Sequence, residues 1–541
     1  MLCIVSCSLI SSHPIKKSRQ QRLKEFPTES LPLQGEASLG WTEYQVPYIK
    51  AATDHDCAFL LGMVHAHLRL GQMALMREVA HCRLAEHIGP LAVKFEKILR
   101  MMQLNAAVDS IYSELPKQTM DWLTAYTEGI NYYQKQLTSL PVEMRMLRID
   151  PESWTVKDIL KLGRIISADV NWMSWFSELK LMNEPHWQEY WALLQRLGGG
   201  SAISVELPQD GLGGFFNDYS KSGSNAYALS PDKTTSQSAI LASDPHLGLQ
   251  LPNFWLIAGY QCPSYHVLGL MMPGIPVVMV GRNEHLAWSG TNLRSASSDL
   301  VELSPEQISG LSTSSDTVKV RNWFDTTVKI RHSELGPVLS DAPFFQSTNK
   351  TFAMRWVGHQ PSDELTALLK VNQAHDWESF RNSFSTYAVS GQTFVYADNT
   401  GHIGLLPAVK IPVRSYHRPP GVIISPKPEL AWQGFLETKD LHQVYDPQTG
   451  FVASANNNPV KTKTPLGFSF SADDRILRLK DVLSSEKKFS VPDLGRLQTD
   501  TVVRSAHQTC QAMLQCLKDH HPEPYTKKQE EVLQLLQKWD G

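Results

Sequence analysis

The central run KSGSNAYALSPDKTTSQSAILASDPHLGL, from Lys221 to Leu249, governs how the rest of the chain is interpreted. Within it Ser224 follows Gly223 and precedes Asn225, and His246 stands twenty-two positions further on. If the chain is opened before Ser224, that residue carries a hydroxyl nucleophile together with an α-amine whose pKa of roughly 7.7 to 8 suits general-base work at neutral pH. One residue then does what a serine and a histidine do elsewhere. Alone, a Gly-Ser-Asn triplet is most often a turn, so the flanking sequence has to decide.

Upstream the pattern is helical. Ala58 to Gly89 has apolar residues recurring at three and four and ends in glycine, and similar patterns occupy Gln118–Leu137, Val156–Ala168 and Glu184–Leu197, with breaks at Pro151 and Pro185. Gly198-Gly199-Gly200 opens a stretch rich in Gly, Ser and Asp that runs to Gly223 and reads as a linker or removable spacer. From Ala226 to Val301 short apolar runs (AILAS, FWLIAGY, YHVLGL, IPVVMVG, LAWSG) alternate with Gly, Pro and Asn, which is the pattern of strands. The expected division is 1–27 for an apolar and then polar lead, 28–197 for a helical region, 198–223 for the spacer and 224–541 for a β-rich domain.

With 541 residues, 42% of them hydrophobic, the chain has material for a large core, and its formal charge of −3 without a basic cluster argues against nucleic acid as a partner. Seven cysteines are scattered without a C-x-x-C pair and do not settle the redox compartment. Met1–Ile10 (MLCIVSCSLI) is apolar and lacks a basic start, as if an export segment had been clipped, and Ile4-Val5-Ser6-Cys7 loosely fits a lipobox. The expectation is a periplasmic or secreted protein. No apolar run reaches the roughly 20 residues that span a bilayer, so no transmembrane segment is expected.

Five segments, VPYIKAATDHDCAFLLGMVHAHLRLGQM (Val46–Met73), SGSNAYAL (Ser222–Leu229), DPHLGL (Asp244–Leu249), PGIPVVMVGRNEHLAWSGTNL (Pro273–Leu293) and GFVASANNNP (Gly450–Pro459), are each weak on their own. In this order and spacing they resemble the penicillin acylase-type N-terminal nucleophile (Ntn) amidohydrolases, which include cephalosporin and acyl-homoserine lactone acylases. The resemblance covers most of the chain. It implies an α+β fold, an Ntn αββα sandwich with a largely helical N-terminal α-subunit region. It also implies a precursor that cuts itself between Gly223 and Ser224 into α and β subunits. Gly223 lacks a Cβ, so its carbonyl is open to Ser224 Oγ and its backbone is free to adopt strained geometry during an N-to-O acyl shift.

In the mature site the resemblance casts Ser224 as nucleophile and its α-amine as base toward a small-molecule N-acyl amide. The oxyanion donors are then the backbone N–H of Asn292 and the side-chain amide of Asn456, although an asparagine cluster is also what Asx turns are made of. His246 matches the position that holds the α-amine. Arg475 matches an arginine that orients the catalytic asparagine, with a surface ion pair to Asp473 or Asp474 as the other possibility. Leu247, Val280 and Gly290 fall at acyl-pocket positions. A leucine where benzyl-selective acylases carry phenylalanine suggests a deeper apolar slot, and so aliphatic amides such as acyl-homoserine lactones ahead of β-lactam side-chain amides. Antibiotic or quorum-signal degradation follows as the theme.

No cofactor is required for this chemistry. A structural calcium is implied only weakly, through Glu178 and Asp299, since Ala296 stands where a further aspartate is expected. The chain stops at LQLLQKWDG (Leu533–Gly541), a feature that lies well inside the β subunit of the resembled enzymes. A missing C-terminal part of the fold is therefore expected, and in the alternative reading self-cleavage, whose strain depends on the completed fold, fails. Two rivals stand beside the acylase: an inactive, truncated acylase-like protein acting as a binding module, and a metal hydrolase using His65 and His67 with His55 and His81. The spacing of His65 and His67 on a helix points them to different faces, against the second.

Overall fold

The computed structural model describes residues 18–169, 223–248, 250–343, 350–417, 419, 421–460, 462–520 and 524–541, with scattered positions between 172 and 190. The leader as far as residue 17 and the spacer as far as 222 lie outside the described residues.

In chain order the elements that build the site are strands β1 (Ala37–Trp41) and β2 (Pro47–Ala51), helices α1 (Asp54–Ala80), α2 (Lys117–Gln136) and α3 (Val156–Ile166), then β3 (Gly223–Leu229), β4 (Ile240–His246), β5 (Leu256–Cys262), β6 (Tyr265–Met271), β7 (Val280–Arg282) and β8 (Leu286–Asn292). Helix α4 (Glu364–Gln373) follows, with β9 (Gln392–Asp398), β10 (Ile403–Ala408), β11 (Val444–Tyr445), β12 (Phe451–Ser454), α5 (Asp474–Leu483) and α6 (Val491–Gln498). The nine-stranded sheet runs β1-β2-β5-β6-β7-β8-β9-β10-β11, and a three-stranded sheet runs β12-β3-β4. Within these two sheets pairing is antiparallel except between β2 and β5, where Tyr48 faces Gly259 in parallel register. The mixed α and β architecture agrees with the sequence. Strands β1 and β2 do not: they precede the first long helix and extend the large sheet, where only helix was expected.

Helix α1 starts where Thr53 caps it, its side chain accepting from the Asp56 N–H, and is buried along most of its length. Two glycines let it lie against α2. A Cβ on Gly62 would sit 2.0 Å from the Tyr126 carbonyl oxygen, and one on Gly129 1.9 Å from that of Phe59. The helix predicted over 58–89 ends at Ala80, because Cys82 turns left-handed at φ 54°, and a short second helix, Leu84–Ile88, ends at Gly89 with φ 86°.

Strand β3 explains the layering. Its even-numbered Ala226 and Ala228 share a small apolar layer with Val395, Ala397, Ile403 and Leu405 of the large sheet. Its odd-numbered Tyr227 and Leu229 pack with Ile476, Leu479 and Leu494 of α5 and α6. The alternation is the period of two inherent in a strand, and alanines on the inner side allow the sheets to approach closely. On the other side of the large sheet Tyr260, Trp288 and Tyr396 join the main core with residues of α1, α2 and α4. Near the strand ends that carry the site, hydroxyl pairs replace the apolar layer: Thr291 with Ser454 at 2.7 Å, and Ser243 with Ser289. Among the described residues no helix is long and apolar enough to cross a membrane.

Candidate active site

Ser224 is the second residue of β3, buried, and faces Pro245 across the ladder to β4. Its backbone N–H donates to Asn456 Oδ1 at 2.7 Å. Asn456 follows β12, is 1% exposed and takes a left-handed φ of 59°, a conformation asparagine tolerates better than most side chains. One hydrogen of its Nδ2 goes to the Asn292 carbonyl oxygen at 3.0 Å, leaving the other for a second acceptor. Asn292 ends β8. Its neighbour Leu293 uses its N–H in the ladder, toward Gly391 O, so the peptide groups of Asn292 turn to the opposite side of the strand, the side on which Asn456 meets them.

Arg475, at the start of α5, joins these pieces. Its Nη1 donates to the Ser224 carbonyl oxygen at 2.6 Å and to Asn225 Oδ1 at 2.8 Å, and its Nη2 to Asn456 Oδ1 at 3.0 Å. The surface pair with Asp473 or Asp474 is thus not where this guanidinium goes; Asp474 instead accepts from Ser505. Burial lowers the guanidinium's pKa, an effect that Asp244 opposes.

His246 pairs with Gly223 across the ladder. A Cβ on Gly223 would lie 3.1 Å from His246 Nδ1, so the glycine lets the imidazole approach the backbone at the expected cut. Gly223 is the first residue of β3, and the residue before it lies outside the described residues. What the missing Cβ serves here is proximity. His246 Nε2 hydrogen-bonds Asp244 Oδ2, which also accepts from Asn225 Nδ2 at 3.2 Å. A hydrogen on Nε2, held by the carboxylate, leaves Nδ1 as an acceptor turned toward residues 223 and 224. Asp244 was not singled out from the sequence, yet it stands two residues before His246 on a strand and therefore on the same face.

A cavity of about 220 Å³ opens beside Ser224 and Asn292, and Leu247, Val280 and Gly290 all line it. Phe254 and Met272 add apolar wall, and Leu160 and Gly163 of α3 close it from the N-terminal half. A Cβ on Gly290 would meet the Phe394 ring at 3.5 Å, so any larger side chain there would start to fill the space.

The calcium expectation meets a different chemistry. Asp299 Oδ2 accepts from Arg414 Nε at 2.9 Å and Trp432 Nε1 at 2.5 Å, with the Tyr416 hydroxyl 3.3 Å from both oxygens. A guanidinium and an indole N–H donate to this carboxylate, whereas calcium would take oxygen ligands. Buried Ala296 supplies no ligand, and Glu178 lies outside the described residues. The four histidines of the metal rival are committed elsewhere. His65 Nδ1 meets the Tyr126 hydroxyl at 2.7 Å, His67 Nδ1 that of Tyr133 at 2.9 Å, His81 Nε2 meets Asp158 at 2.6 Å, and His55 lies between Asp56 and Glu128.

The family model described as penicillin amidase matches residues 36–541. The penicillin acylase 2 proenzyme of Pseudomonas sp. (strain SE83) is 26% identical over 93% of this chain and 68% of its own length. The acyl-homoserine lactone acylase QuiP of Pseudomonas aeruginosa is 23% identical over 84% of this chain and 59% of its own length. A thermostable penicillin G acylase from Alcaligenes faecalis superposes with a TM-score of 0.49, at 21% identity and 59% coverage of each chain. The chain therefore spans about two thirds or less of the curated relatives just described. On the extent of the family match, it belongs to the penicillin amidase family.

Proposed function

We propose that the protein is a self-processing N-acyl amide hydrolase with Ser224 as an N-terminal nucleophile, built on the αββα sandwich of Ntn hydrolases. In the first step Ser224 Oγ adds to the Gly223 carbonyl, the Gly223–Ser224 C–N bond breaks and an ester forms. Water then hydrolyses the ester, leaving a carboxylate on Gly223 and a free hydroxyl and α-amine on Ser224. The helical half becomes the α subunit and the half from Ser224 the β subunit.

In the hydrolytic cycle Oγ attacks the substrate carbonyl while the α-amine, directly or through one water, takes the hydroxyl proton and later returns it to the leaving amine. Asn456 Nδ2 and the Asn292 N–H stabilise the oxyanion. His246 Nδ1 accepts from the amine and keeps its lone pair directed at Oγ, with Asp244 holding the ring, and Arg475 orients Asn456. Each of these is a role supported by position; none requires a metal. The observation that carries the proposal is the convergence on residue 224: its nitrogen on Asn456 Oδ1, its carbonyl on Arg475, and its side of the ladder open to a largely apolar cavity.

That cavity suits aliphatic acyl groups, so acyl-homoserine lactones stand ahead of phenylacetyl β-lactams as substrates. Release of the free amine from N-octanoyl-homoserine lactone and from penicillin G, measured with the wild-type chain and with Ser224→Ala, tests this. Hydrolysis by the first and none by the second is expected; turnover that survives in Ser224→Ala would refute it.

A further inference from the structure

The cavity has a second, polar end that the proposed chemistry does not use. Asp363 and Glu364, at the start of α4, line it together with Ser362 and Arg164; among the described residues Arg164, Asp363 and Glu364 are its only charged lining. Arg164, 2% exposed, donates through Nη2 to Ser362 O at 2.9 Å and Ser362 Oγ at 3.0 Å, while Nη1 makes no hydrogen bond among the described residues and lies 3.7 Å from Glu364 Oε2. Glu364 Oε1 accepts from the N–H groups of Ala388 and Val389, both at 3.2 Å, while Oε2 makes no hydrogen bond among the described residues. Two carboxylates against one guanidinium leave the end formally anionic, and burial pushes the Asp363 carboxyl upward, a cost that a neighbouring cation would relieve.

The register links it to the nucleophile. Val389 precedes by three residues Gln392, which pairs with Asn292 beside Ser224. At about 3.3 Å per residue the chain between Val389 and Gln392 spans at most roughly 10 Å, and the acidic end and Ser224 line the same cavity.

We propose that Asp363 and Glu364 form a recognition pole for an ammonium group at the far end of the acyl chain, so that the substrate class is an N-acyl amide with a terminal amine. This rests on Ser224 being the nucleophile and on the acyl chain occupying this cavity. An alkyl terminus leaves the pole unsatisfied, and a carboxylate terminus meets like charge.

The test compares octanoyl, ω-aminooctanoyl and ω-carboxyheptanoyl p-nitroanilides with the full wild-type chain. The expected order in kcat/KM is amino, then alkyl, then carboxyl, with about tenfold between the first two. Glu364→Gln keeps an acceptor for the Ala388 and Val389 amides, and Asp363→Asn keeps a helix cap; each is expected to bring the amino-to-alkyl ratio close to one while octanoyl turnover persists. Calorimetric affinity of Ser224→Ala for the same three amides gives a second measure that needs no hydrolysis and is expected to follow the same order. Wild-type hydrolysis without amino preference, or a ratio unmoved by both acid variants, overturns the pole and leaves the hydrolase intact. Absence of all hydrolysis with the binding order preserved refutes the hydrolase and keeps the pole; absence of the order in both measurements overturns it.

Discussion

Asn456 touches three partners at once, so its replacement separates chemistry from packing. Asn456→Ala removes one oxyanion donor and the acceptor for the Ser224 nitrogen, and turnover of a preferred acyl amide is expected to fall by about 10² to 10³ with little change in KM. Asp244→Asn substitutes an amide for the carboxylate that fixes the His246 ring; about 10- to 100-fold lower kcat is expected, at near-wild-type thermal stability. A Tm loss that accounts for the lost rate would assign Asp244 a structural role only. Ser224, His246 and Asn456 were singled out because each sits inside a short motif of fixed order, and Arg475 because it matches an arginine of the resembled family. The connection among them was not, since Arg475 meets Ser224 across 251 positions of sequence. Asp244 was within reach of a period-two count on β4. The Asp299–Arg414 pair was not, because its guanidinium arrives from a segment 115 residues away.

At the level of elements, glycines carry the contact between α1 and α2. Gly129→Ala places a methyl inside the Phe59 carbonyl and is expected to lower unfolding free energy by about 1–3 kcal/mol or more, read from a urea midpoint shift at unchanged m-value. Gly163→Ala, with nothing within 4 Å of the added carbon, is the matched control and should be neutral or slightly stabilising. Helical periodicity located α2 and α3 to within a residue or two, because amphipathic stripes are local information. Strands β1 and β2 escaped notice since a five-residue strand with one half-exposed face has little signature, and their place beside β5 is set by a contact more than 200 residues distant. The run IPVVMVG was expected as strand, yet only Val280–Arg282 enters the ladder; two prolines bracket its start and the preceding residues pack into the core.

For the whole molecule, buried His65 and half-buried His67 contribute to the acid limit. Burial strips water from the charged ring and brings His65 to about 3 and His67 to about 4, against an ordinary 6.5. In the unfolded chain both protonate below about 6.5, so it binds more protons than the folded chain and stability is lost as pH falls from 6.5 toward 4 and then 3. The loss by pH 5 is about 2 kcal/mol for each. Urea midpoints at pH 7 and pH 5 should show it, with a shallower fall in His65→Gln; an equal fall in the two chains would contradict the assignment. The layering of helices and two sheets was legible as a change of texture near residue 223, whereas which sheet carried which site residue depended on pairings that no local pattern encodes.

The most direct measurement is intact mass with N-terminal sequencing of the purified protein. Two fragments, one beginning Ser-Asn-Ala-Tyr at residue 224, are expected, and Ser224→Ala should remain a single uncut chain of 60.8 kDa. A wild-type chain that stays whole while hydrolysing acyl amides, or that is cut at the same bond after Ser224→Ala, would contradict it.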